Sequence, residues 1–258
     1  MNPLDCSFHR CEKAFMSVKS AARSVEVFEL FARTQTPLSL SELARGLHAP
    51  VSSCFQLIRT LEAHGYLYAL AGNRIYPTRK LFNIGSAITA AEPWMQQIEP
   101  KLVALRDATR ETIILGTWQG YQAVYLAVVE GPQNVRYSAQ VGDLKPLYSS
   151  SIGKALLSAM SRTEREKIVG KIALKARTEF TITNRSALLA DLERCAKLGI
   201  AETRGENVPD VMAIAKPVRL GEDVYAIAVA GPMHRMRENV SQHKADLEEL
   251  CVSIKVAP

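Results

Sequence analysis

Long apolar runs are absent from this sequence of 258 residues. No stretch approaches the roughly 18 consecutive apolar residues of a membrane-spanning helix, and the N-terminus lacks the apolar segment of a signal peptide. Paired cysteines are lacking as well, because the five cysteines are odd in number and irregularly spaced. We therefore expect a cytoplasmic protein with no membrane contact and no disulfide framework.

Metal ligands are equally sparse. Cys6, His9 and Cys11 lie close together, but structural zinc sites use four ligands, usually in two pairs, and no second pair follows. We expect no metal and no cofactor. Residues 1–16 show no hydrophobic period, which predicts a flexible leader.

Positive charge is present in modest excess and is unevenly spread. Of a net charge of +6, residues 1–91 contribute four, with ten Lys/Arg against six Asp/Glu. A basic module of this kind attracts polyanions such as nucleic acid, although the same bias is also common on ordinary solubilising surfaces. The 47% hydrophobic content is enough for real cores in one large or two ordinary domains.

The stretch from Ser39 to Gly65 has the pattern of two short helices joined by a sharp turn. Ser39 and Glu42 have the spacing of a capping box, which predicts a helix from Leu40 to Leu47. Pro50 follows the turn and suits the first position of a second helix. The pair is a helix-turn-helix candidate.

The second helix has one apolar face and one small polar face. Its apolar residues recur at i, i+3, i+4 and i+7: Cys54, Leu57, Ile58 and Leu61. Ser52, Ser53 and Gln56 emerge opposite them, near the N-terminus. Hydroxyls and amides at this end can bond phosphates and base edges in the major groove. An ordinary helical hairpin packed in a core would show much of the same pattern.

Flanking segments favour the DNA-binding alternative. Tyr66–Leu70, a Gly72-Asn73 turn and Arg74–Tyr76 predict a β-hairpin with a basic residue at its tip, the wing of a winged helix. A preceding helix is predicted from Ser17 to Thr34. Its expected inward residues follow a helical period: Val18, Ala21, Ala22, Val25, Phe28 and Ala32. Residues 17–78 thus form the predicted winged helix-turn-helix domain.

A helix is predicted over 79–92 as a linker, and Pro93 marks the boundary of a second domain over 93–258. In that domain Thr112–Trp118 and Tyr121–Val129 predict a hairpin, and Asn134–Gln140 predicts another strand. Later segments alternate between strands and helices, ending with a helix from about Arg237 to Ile254. This mixture predicts an α+β domain.

Three serines, Ser149 to Ser151, precede a predicted helix in this domain. The free N–H groups of a helix N-terminus and nearby hydroxyls favour a small anion such as a carboxylate. Simple N-capping of the helix by one of the serines is the alternative.

Longer motifs resemble a known family. VKSAARSVEVFELFARTQTPLSLSELARGLHAPVSSCFQLIRTLEAHGYL is similar to the DNA-binding domain of the IclR family of bacterial transcriptional regulators. VGDLKPLYSSSIGKALLSAM, TEFTIT, LERCAKLGIAETRGE, AIAKPVR and AVAGPMHRMRE resemble its second domain. The resemblance implies a winged helix, a linker helix and a GAF-like α+β effector-binding domain. It also implies a homodimer or homotetramer that binds a double-stranded DNA operator and represses or activates a catabolic operon.

The resemblance and the residue pattern together nominate a DNA-binding set. Its members are Lys19, Ser20, Arg23, Ser39, Ser41, Ser52, Ser53, Gln56, Asn73 and Arg74. Relatives typically carry Lys at the position of Val51 and Arg at that of Gln56, so two positive side chains are absent here. This departure implies a different operator, and it also leaves open an interaction module that does not bind DNA.

The resemblance likewise implies a small-molecule effector held on the N–H groups of Ser151 and Ile152. The nominated set is Leu144, Tyr148, Ser150, Ser151, Ile152, Gly153, Thr203, Ala213, Ala228 and Ala230. The last four stand where relatives that bind small oxo-acids have Asp, Cys, Ser and Ser. A less polar wall predicts an organic acid or amide larger and more apolar than glyoxylate or pyruvate, with Tyr148 as a candidate wall. Alternatively, the alanines only pack the sheet against a helix.

An enzyme is the remaining alternative. Ser151 and Lys154 match Ser-x-x-Lys, the spacing of a serine acyl hydrolase with a lysine base. Neither Ser-Asp-Asn nor Lys-Thr-Gly accompanies the motif. We therefore expect a regulator and not an enzyme.

Overall fold

A computed structural model describes residues 18–90 and 93–254 of the chain. The chain divides into two compact units, Met1–Pro93 and Trp94–Pro258. The two units are described separately below as the N-terminal and C-terminal units. The predicted leader and its cysteine and histidine residues lie outside the described residues.

The N-terminal unit is a winged helix. Its helices are α1 (Lys19–Thr34), α2 (Leu40–Gly46), α3 (Val51–Ala63) and α4 (Lys80–Ala90). Its strands are β1 (Leu38–Ser39), β2 (Leu67–Leu70) and β3 (Arg74–Pro77), which form an antiparallel sheet in the order β1-β3-β2. The hairpin β2–β3 is the predicted wing, and α2 and α3 are the predicted helix-turn-helix.

Local signals define the turn between the helices. The Ser39 backbone N–H donates to Glu42 Oε2 at 2.7 Å, and the Glu42 N–H donates to Ser39 Oγ at 3.3 Å, so the predicted capping box is confirmed. His48 adopts a left-handed conformation (φ 47°) in the turn. Pro50 is the N-cap of α3, whereas the sequence predicted it as the first helical residue. The helix therefore begins one residue later than expected. The helix-turn-helix is therefore specified largely by local chemistry.

The predicted inner face of α1 is wrong except at Phe28, which packs against the core. Val27, Leu30 and Phe31 are buried in the unit's core, whereas Val18 and Val25 are exposed. Apolar residues occur on two faces of this helix, and the face with the larger side chains removes more apolar area from water when it packs. The α3 residues Cys54, Leu57, Ile58 and Leu61 pack in this core as predicted.

The C-terminal unit is an α+β domain built on one antiparallel sheet. Six strands lie in the order β6-β5-β4-β9-β8-β7. They are β4 (Thr112–Gln119), β5 (Gln122–Val129), β6 (Leu144–Pro146), β7 (Ala201–Arg204), β8 (Val211–Leu220) and β9 (Asp223–Pro232). The helices are α5 (Pro93–Thr109), α6 (Ser151–Ser158), α7 (Arg162–Lys171), α8 (Arg185–Leu198) and α9 (Met233–Ser253).

Strand alternation assigns the two faces of the sheet to different helices. Ile113, Leu115, Ile227 and Val229 join the large core cluster formed with α5 and α9. Ala228 and its neighbours at alternate positions point to the opposite face, where α6 contacts β4, β8 and β9. All eight residues of α6 are buried. This short helix is therefore enclosed by the fold.

Two predictions for this unit need correction, and one helix was missed. Residues 134–140 form no strand; the carbonyl of Tyr137 accepts from Thr112 Oγ1 (2.5 Å) and that of Val135 accepts from Arg235 Nη2 (2.9 Å). These two side-chain hydrogen bonds take the place of the backbone hydrogen bonds that would join residues 134–140 to a neighbouring strand. The short strand β6 forms the edge of the sheet instead. Helix α7 was not predicted, and α9 begins four residues earlier than expected.

Within residues 18–90 and 93–254, the structure contains no helix that is both long and apolar enough to cross a membrane.

Candidate functional site

The exposed face of α3 carries the polar residues predicted to meet DNA. Ser52, Ser53 and Gln56 are all exposed, and the opposite face of the helix is fixed in the core. The Pro50 N-cap makes no side-chain hydrogen bond to the helix, so the first N–H groups of α3 are left for solvent or an anion. The face therefore offers hydroxyls, an amide and backbone donors at one end.

Helices α1, α2 and α3 carry several positive side chains, including two that sequence reasoning missed. Lys19 is exposed on α1, and Arg23 is half-buried there. Burial raises the pKa of the Cys54 thiol on α3, and the charge of Arg23 partly opposes this shift. Arg45 on α2 and Arg59 on α3 are exposed and were not predicted. Their position on the outer faces of the two helices was the available signal.

The serines nominated on α1 and α2 differ in their availability. Ser20 and Ser41 have exposed side chains. Ser39 Oγ donates to Glu42 Oε2 (2.8 Å) in addition to capping α2, so its hydroxyl is already engaged. As a DNA contact Ser39 is thus limited by its role in the cap.

Arg74 does not extend freely from the wing tip. Its Nη1 donates to the Pro37 carbonyl (3.3 Å) and forms an ion pair with Glu42. Hydrogen bonds from Ser39, aided by the Arg74 charge, lower the pKa of Glu42. The tip itself consists of Gly72 and Asn73, both with positive φ, and Arg74 turns back from the first residue of β3 to α2.

In the C-terminal unit a small cavity lies between the N-terminus of α6 and the sheet. Its volume is about 30 Å³. Five predicted effector residues line it: Ser150, Ser151, Thr203, Ala213 and Ala230. The sequence therefore located the two ends of the cavity, the serine-rich helix start and the alanines of β8 and β9.

Seven lining residues were not predicted. They are Ile114, Tyr125, Tyr137, Glu206, Asn207, Val208 and Val211. Burial strongly raises the pKa of Tyr125, which is hydrogen-bonded to Tyr137. The Tyr125 phenol is thus neutral and able to donate across the physiological pH range. The alternation of β5 could have suggested Tyr125, whereas nothing local indicated Tyr137.

Five other nominated effector residues do not line the cavity. Leu144 is exposed on the edge strand β6, and Ile152 packs over Gly116 of β4. The Tyr148 hydroxyl donates to the Lys175 carbonyl (2.7 Å) beside a separate surface depression, so it is not a wall of this cavity.

Gly153 and Ala228 are excluded from the lining for reasons of packing. A Cβ at Gly153 would overlap the backbone of Leu147, so this glycine allows the loop and α6 to approach each other. Ala228 is buried between Ile114 and Ala215 of the adjacent strands. Its methyl group packs the sheet, as the alternative for the alanines anticipated.

The start of α6 combines capping with free donors. Ser150 Oγ accepts from the Gly153 N–H at 3.1 Å and donates to the Pro146 carbonyl at 2.7 Å, so this serine is an N-cap. Ser151 and Ile152 are the first two residues of the helix, and their N–H groups have no partner within it. Capping and anion binding are therefore compatible here.

A buried ion cluster lies directly behind this helix start. Lys154 is 0% exposed, and its Nζ lies 2.7 Å from Asp191 Oδ2 and 2.6 Å from Glu206 Oε2. Of the two Glu206 oxygens, only Oε1, at 2.8 Å, has hydrogen-bond geometry to Nζ. Burial raises the pKa of Glu206. Because the Lys154 Nζ is held by the carboxylates of Asp191 and Glu206, it is not available to accept a proton from Ser151.

A larger open cleft of about 510 Å³ lies on the other side of Glu206, along α8 and β7. Its charged side chains are paired: Glu202 bonds Arg204 (2.5 Å) and Lys244 (2.8 Å), Arg194 pairs with Asp191, and Glu206 pairs with Lys154. The cleft thus offers little uncompensated charge. The small cavity has free helix donors and is the better candidate site, although it is much the smaller of the two.

The size of the small cavity limits what it holds in this state. About 30 Å³ corresponds to one water molecule, whereas ligand sites typically have about 300–1,000 Å³. A ligand of several atoms therefore enters only if the lining side chains move. No group of three or more His, Cys, Asp or Glu in the described part of the chain is placed to hold a metal.

Family models match both units. Residues 20–70 match the IclR helix-turn-helix domain, and residues 87–254, more than half of the chain, match the model described as bacterial transcriptional regulator IclR C-terminal. The chain belongs to the IclR family. Its relatives there are transcriptional regulators and not enzymes, which settles the alternative raised by Ser151 and Lys154.

Individual IclR relatives are similar over most of their length. The HTH-type transcriptional repressor AllR of Escherichia coli (strain K12) is 27% identical over 220 residues, which cover 84% of this chain and 81% of AllR. The crystal structure of Thermotoga maritima IclR superposes with a TM-score of 0.76 at 25% identity, covering 90% of this chain and 96% of that one.

An IclR homolog from Microbacterium hydrocarbonoxydans, crystallised in complex with 4-hydroxybenzoate, shares the fold at 22% identity. Its TM-score is 0.67, and the match covers 89% of this chain and 99% of that chain. The predicted architecture, a winged helix-turn-helix followed by an α+β effector-binding domain, is therefore confirmed.

Proposed function

We propose that this IclR-family regulator binds a pseudo-palindromic operator as a symmetric oligomer, with α3 of each copy in the major groove. The observation that carries the proposal is the exposed polar face of α3, fixed in place by its buried opposite face. Lys19, Arg45 and Arg59 add positive charge around that face for phosphate contacts. A regulator that acts on bacterial DNA works in the cytoplasm.

The oligomer is supported by helix α4. Every residue from Lys80 to Ala90 is exposed, and they include large apolar side chains. The exposed apolar residues of α4 are Leu81, Phe82, Ile84 and Ile88. A helix with this composition is expected to bury its apolar residues against a second copy, because contiguous apolar surface is unfavourable in water. Analytical ultracentrifugation should give a dimer or tetramer, and a monomer at micromolar concentration would contradict this part of the proposal.

Selection from a random duplex pool tests the DNA-binding role. We expect enrichment of a sequence with two related half-sites, because a two-fold oligomer presents two identical helices. Gln56→Ala should change the preferred base within a half-site, whereas Lys19→Ala should weaken binding to all sequences and reduce the salt slope by about 1.

Two results would weaken this account. Equal losses on selected and scrambled duplexes for Gln56→Ala would remove Gln56 from the specificity set. No enrichment at all would favour an interaction module that does not bind DNA, the alternative suggested by Val51 and Gln56.

We further propose that the cavity beside α6 binds a small organic acid or amide, larger and more apolar than glyoxylate or pyruvate. The N–H groups of Ser151 and Ile152 would hold its anionic or amide head. Ile114, Ala213 and Ala230 supply apolar walls, which suit a hydrocarbon or aromatic body. The 4-hydroxybenzoate bound by the Microbacterium homolog is an acid of this kind.

Calorimetry against aliphatic and aromatic acids and amides tests the effector class. Ala230→Val adds two carbons inside the cavity and should abolish binding of the preferred compound without changing DNA affinity. Ala228→Val is the matched control, because Ala228 lies on the same face of the same strand but outside the lining. Equal losses in both variants, or a preference for glyoxylate or pyruvate over every larger compound, would refute the assignment.

Repression is the regulatory mode we propose, in line with the name of AllR as a repressor. The effector would then release the protein from its operator. A reporter fused to the selected operator should be silent when the protein is expressed and active when the effector is added. Higher reporter activity in the presence of the protein alone would indicate an activator.

A further inference from the structure

One aromatic residue stands on the exposed face of α3. Phe55 is 52% exposed, although Phe31 of the same unit is buried in its core. Phe55 lies three residues from Ser52, adjacent to Gln56 and four residues from Arg59, so these side chains share one helical surface. Val51, also 52% exposed, lies one turn before Phe55. An apolar strip thus runs beside the polar strip on the outward face of α3.

The chemistry of the major groove contains one apolar feature that such a strip fits. The thymine C5-methyl group is recognised by apolar contact, including contact with phenylalanine, whereas the other base edges present donors and acceptors. Glutamine pairs well with adenine N6 and N7. Neighbouring Phe55 and Gln56 side chains therefore suit A·T base pairs. The apolar strip itself has no group that could bond a charged or polar base edge.

We propose that Phe55 is a specificity-determining residue that packs on a thymine methyl group in each operator half-site, with Val51 extending the contact. The proposal rests on the DNA-binding function proposed above. In the absence of DNA the ring faces water, and in the complex it buries its surface against the methyl group, which stabilises the correct sequence.

Replacing thymine by deoxyuridine tests this contact, because the substitution removes only the methyl group. In the selected duplex, each thymine is replaced in turn and the dissociation constant is measured by fluorescence anisotropy at fixed salt. At one thymine per half-site we expect binding to weaken by about fourfold, the value of one buried methyl group. Substitution in both half-sites should weaken binding by about fifteenfold.

Protein variants assign the effect to the ring. Phe55→Ala should bind the thymine and deoxyuridine duplexes equally at that position, and Phe55→Leu should keep part of the difference. Phe180→Ala is the matched control, because Phe180 is similarly exposed (57%) but belongs to the C-terminal unit. It should keep the full difference.

Other outcomes overturn the inference in distinguishable ways. Equal binding of thymine and deoxyuridine duplexes at every position by the unaltered protein would refute the methyl contact while leaving operator binding intact. The Phe55→Ala variant could instead keep the affinity difference between thymine and deoxyuridine duplexes but change its oligomeric state in analytical ultracentrifugation. That result would assign the ring to an interface between copies of the chain. Failure to recover any preferred duplex would overturn operator binding itself, and this inference with it.

Discussion

Replacing Lys154 by methionine is expected to lower the free energy of unfolding of the C-terminal unit by about 3–5 kcal/mol, the usual cost of removing one partner from a buried ion pair. Methionine keeps most of the side-chain volume, so the change isolates the loss of charge. Lys154 is 0% exposed and contacts two carboxylates, which remain buried after the substitution.

The two carboxylates differ in how they respond. Asp191 keeps an ion pair with Arg194, whereas Glu206 loses the ammonium group that its carboxylate contacts. Burial already raises the pKa of Glu206, and removal of Lys154 raises it further. A carboxyl whose folded-state pKa is raised contributes stability below its unfolded pKa and loses it as pH rises. The destabilisation of the variant should therefore be larger at about pH 8 than at about pH 5.

Urea denaturation at both pH values measures this effect. Adding Glu206→Gln to the Lys154 variant should recover part of the loss and remove its pH dependence. Arg162→Ala is the reference, because Arg162 pairs with Glu166 on the surface at 84% exposure and its loss should cost far less than that of Lys154. A loss for Lys154→Met as small as that of the reference, and independent of pH, would refute the reasoning.

Three further predictions concern stability. Ser39→Ala removes the N-cap of α2 and should lower the unfolding free energy of the N-terminal unit by about 1 kcal/mol in a thermal melt. Gly153→Ala forces a Cβ into the backbone of Leu147, so it should lower the melting temperature, whereas Gly170→Ala, with open space around it, should not. Burial lowers the pKa of His243, so stability should fall as pH drops below the ordinary value of 6.5. A pH series of melts should show that His243→Leu flattens this fall.

Features specified by neighbouring residues were predictable from sequence. The capping box at Ser39 and the turn that ends at Pro50 depend on interactions within a few residues. In the structure both lie within one residue of their predicted positions. The β4–β5 hairpin is another example, because Gly120 supplies the positive φ that its turn requires. The β4–β5 backbone hydrogen bonds then fix which side chains of the two strands face each side of the sheet.

Features that depend on distant partners were not predictable. The backbone of residues 134–140 is held by Thr112 and Arg235, which lie about 25 and 100 residues away in the chain. Ala228 and Ala230 look equivalent in the sequence, yet only Ala230 borders the cavity. The family resemblance indicated the right region, but side-chain packing decided which residues line it.

The partner of a charged side chain in the wing was likewise not predictable from sequence. Arg74 has the position of a phosphate contact at a hairpin tip, but the capping carboxylate of Glu42 lies within its reach. A sequence pattern indicates where a positive side chain is attached and not which anion it binds. Arg45 and Arg59 were missed for the complementary reason, since isolated exposed arginines carry no motif.

The affinity for the selected operator duplex, measured with and without a saturating acid identified by calorimetry, tests the central claim most directly. Coupled sites typically change each other's affinity by about fivefold or more. We expect the acid to weaken operator binding by at least about this factor in the unaltered protein and to have no effect on Ala230→Val. An operator affinity that stays the same while the acid is bound would contradict the proposal that this cavity controls DNA binding.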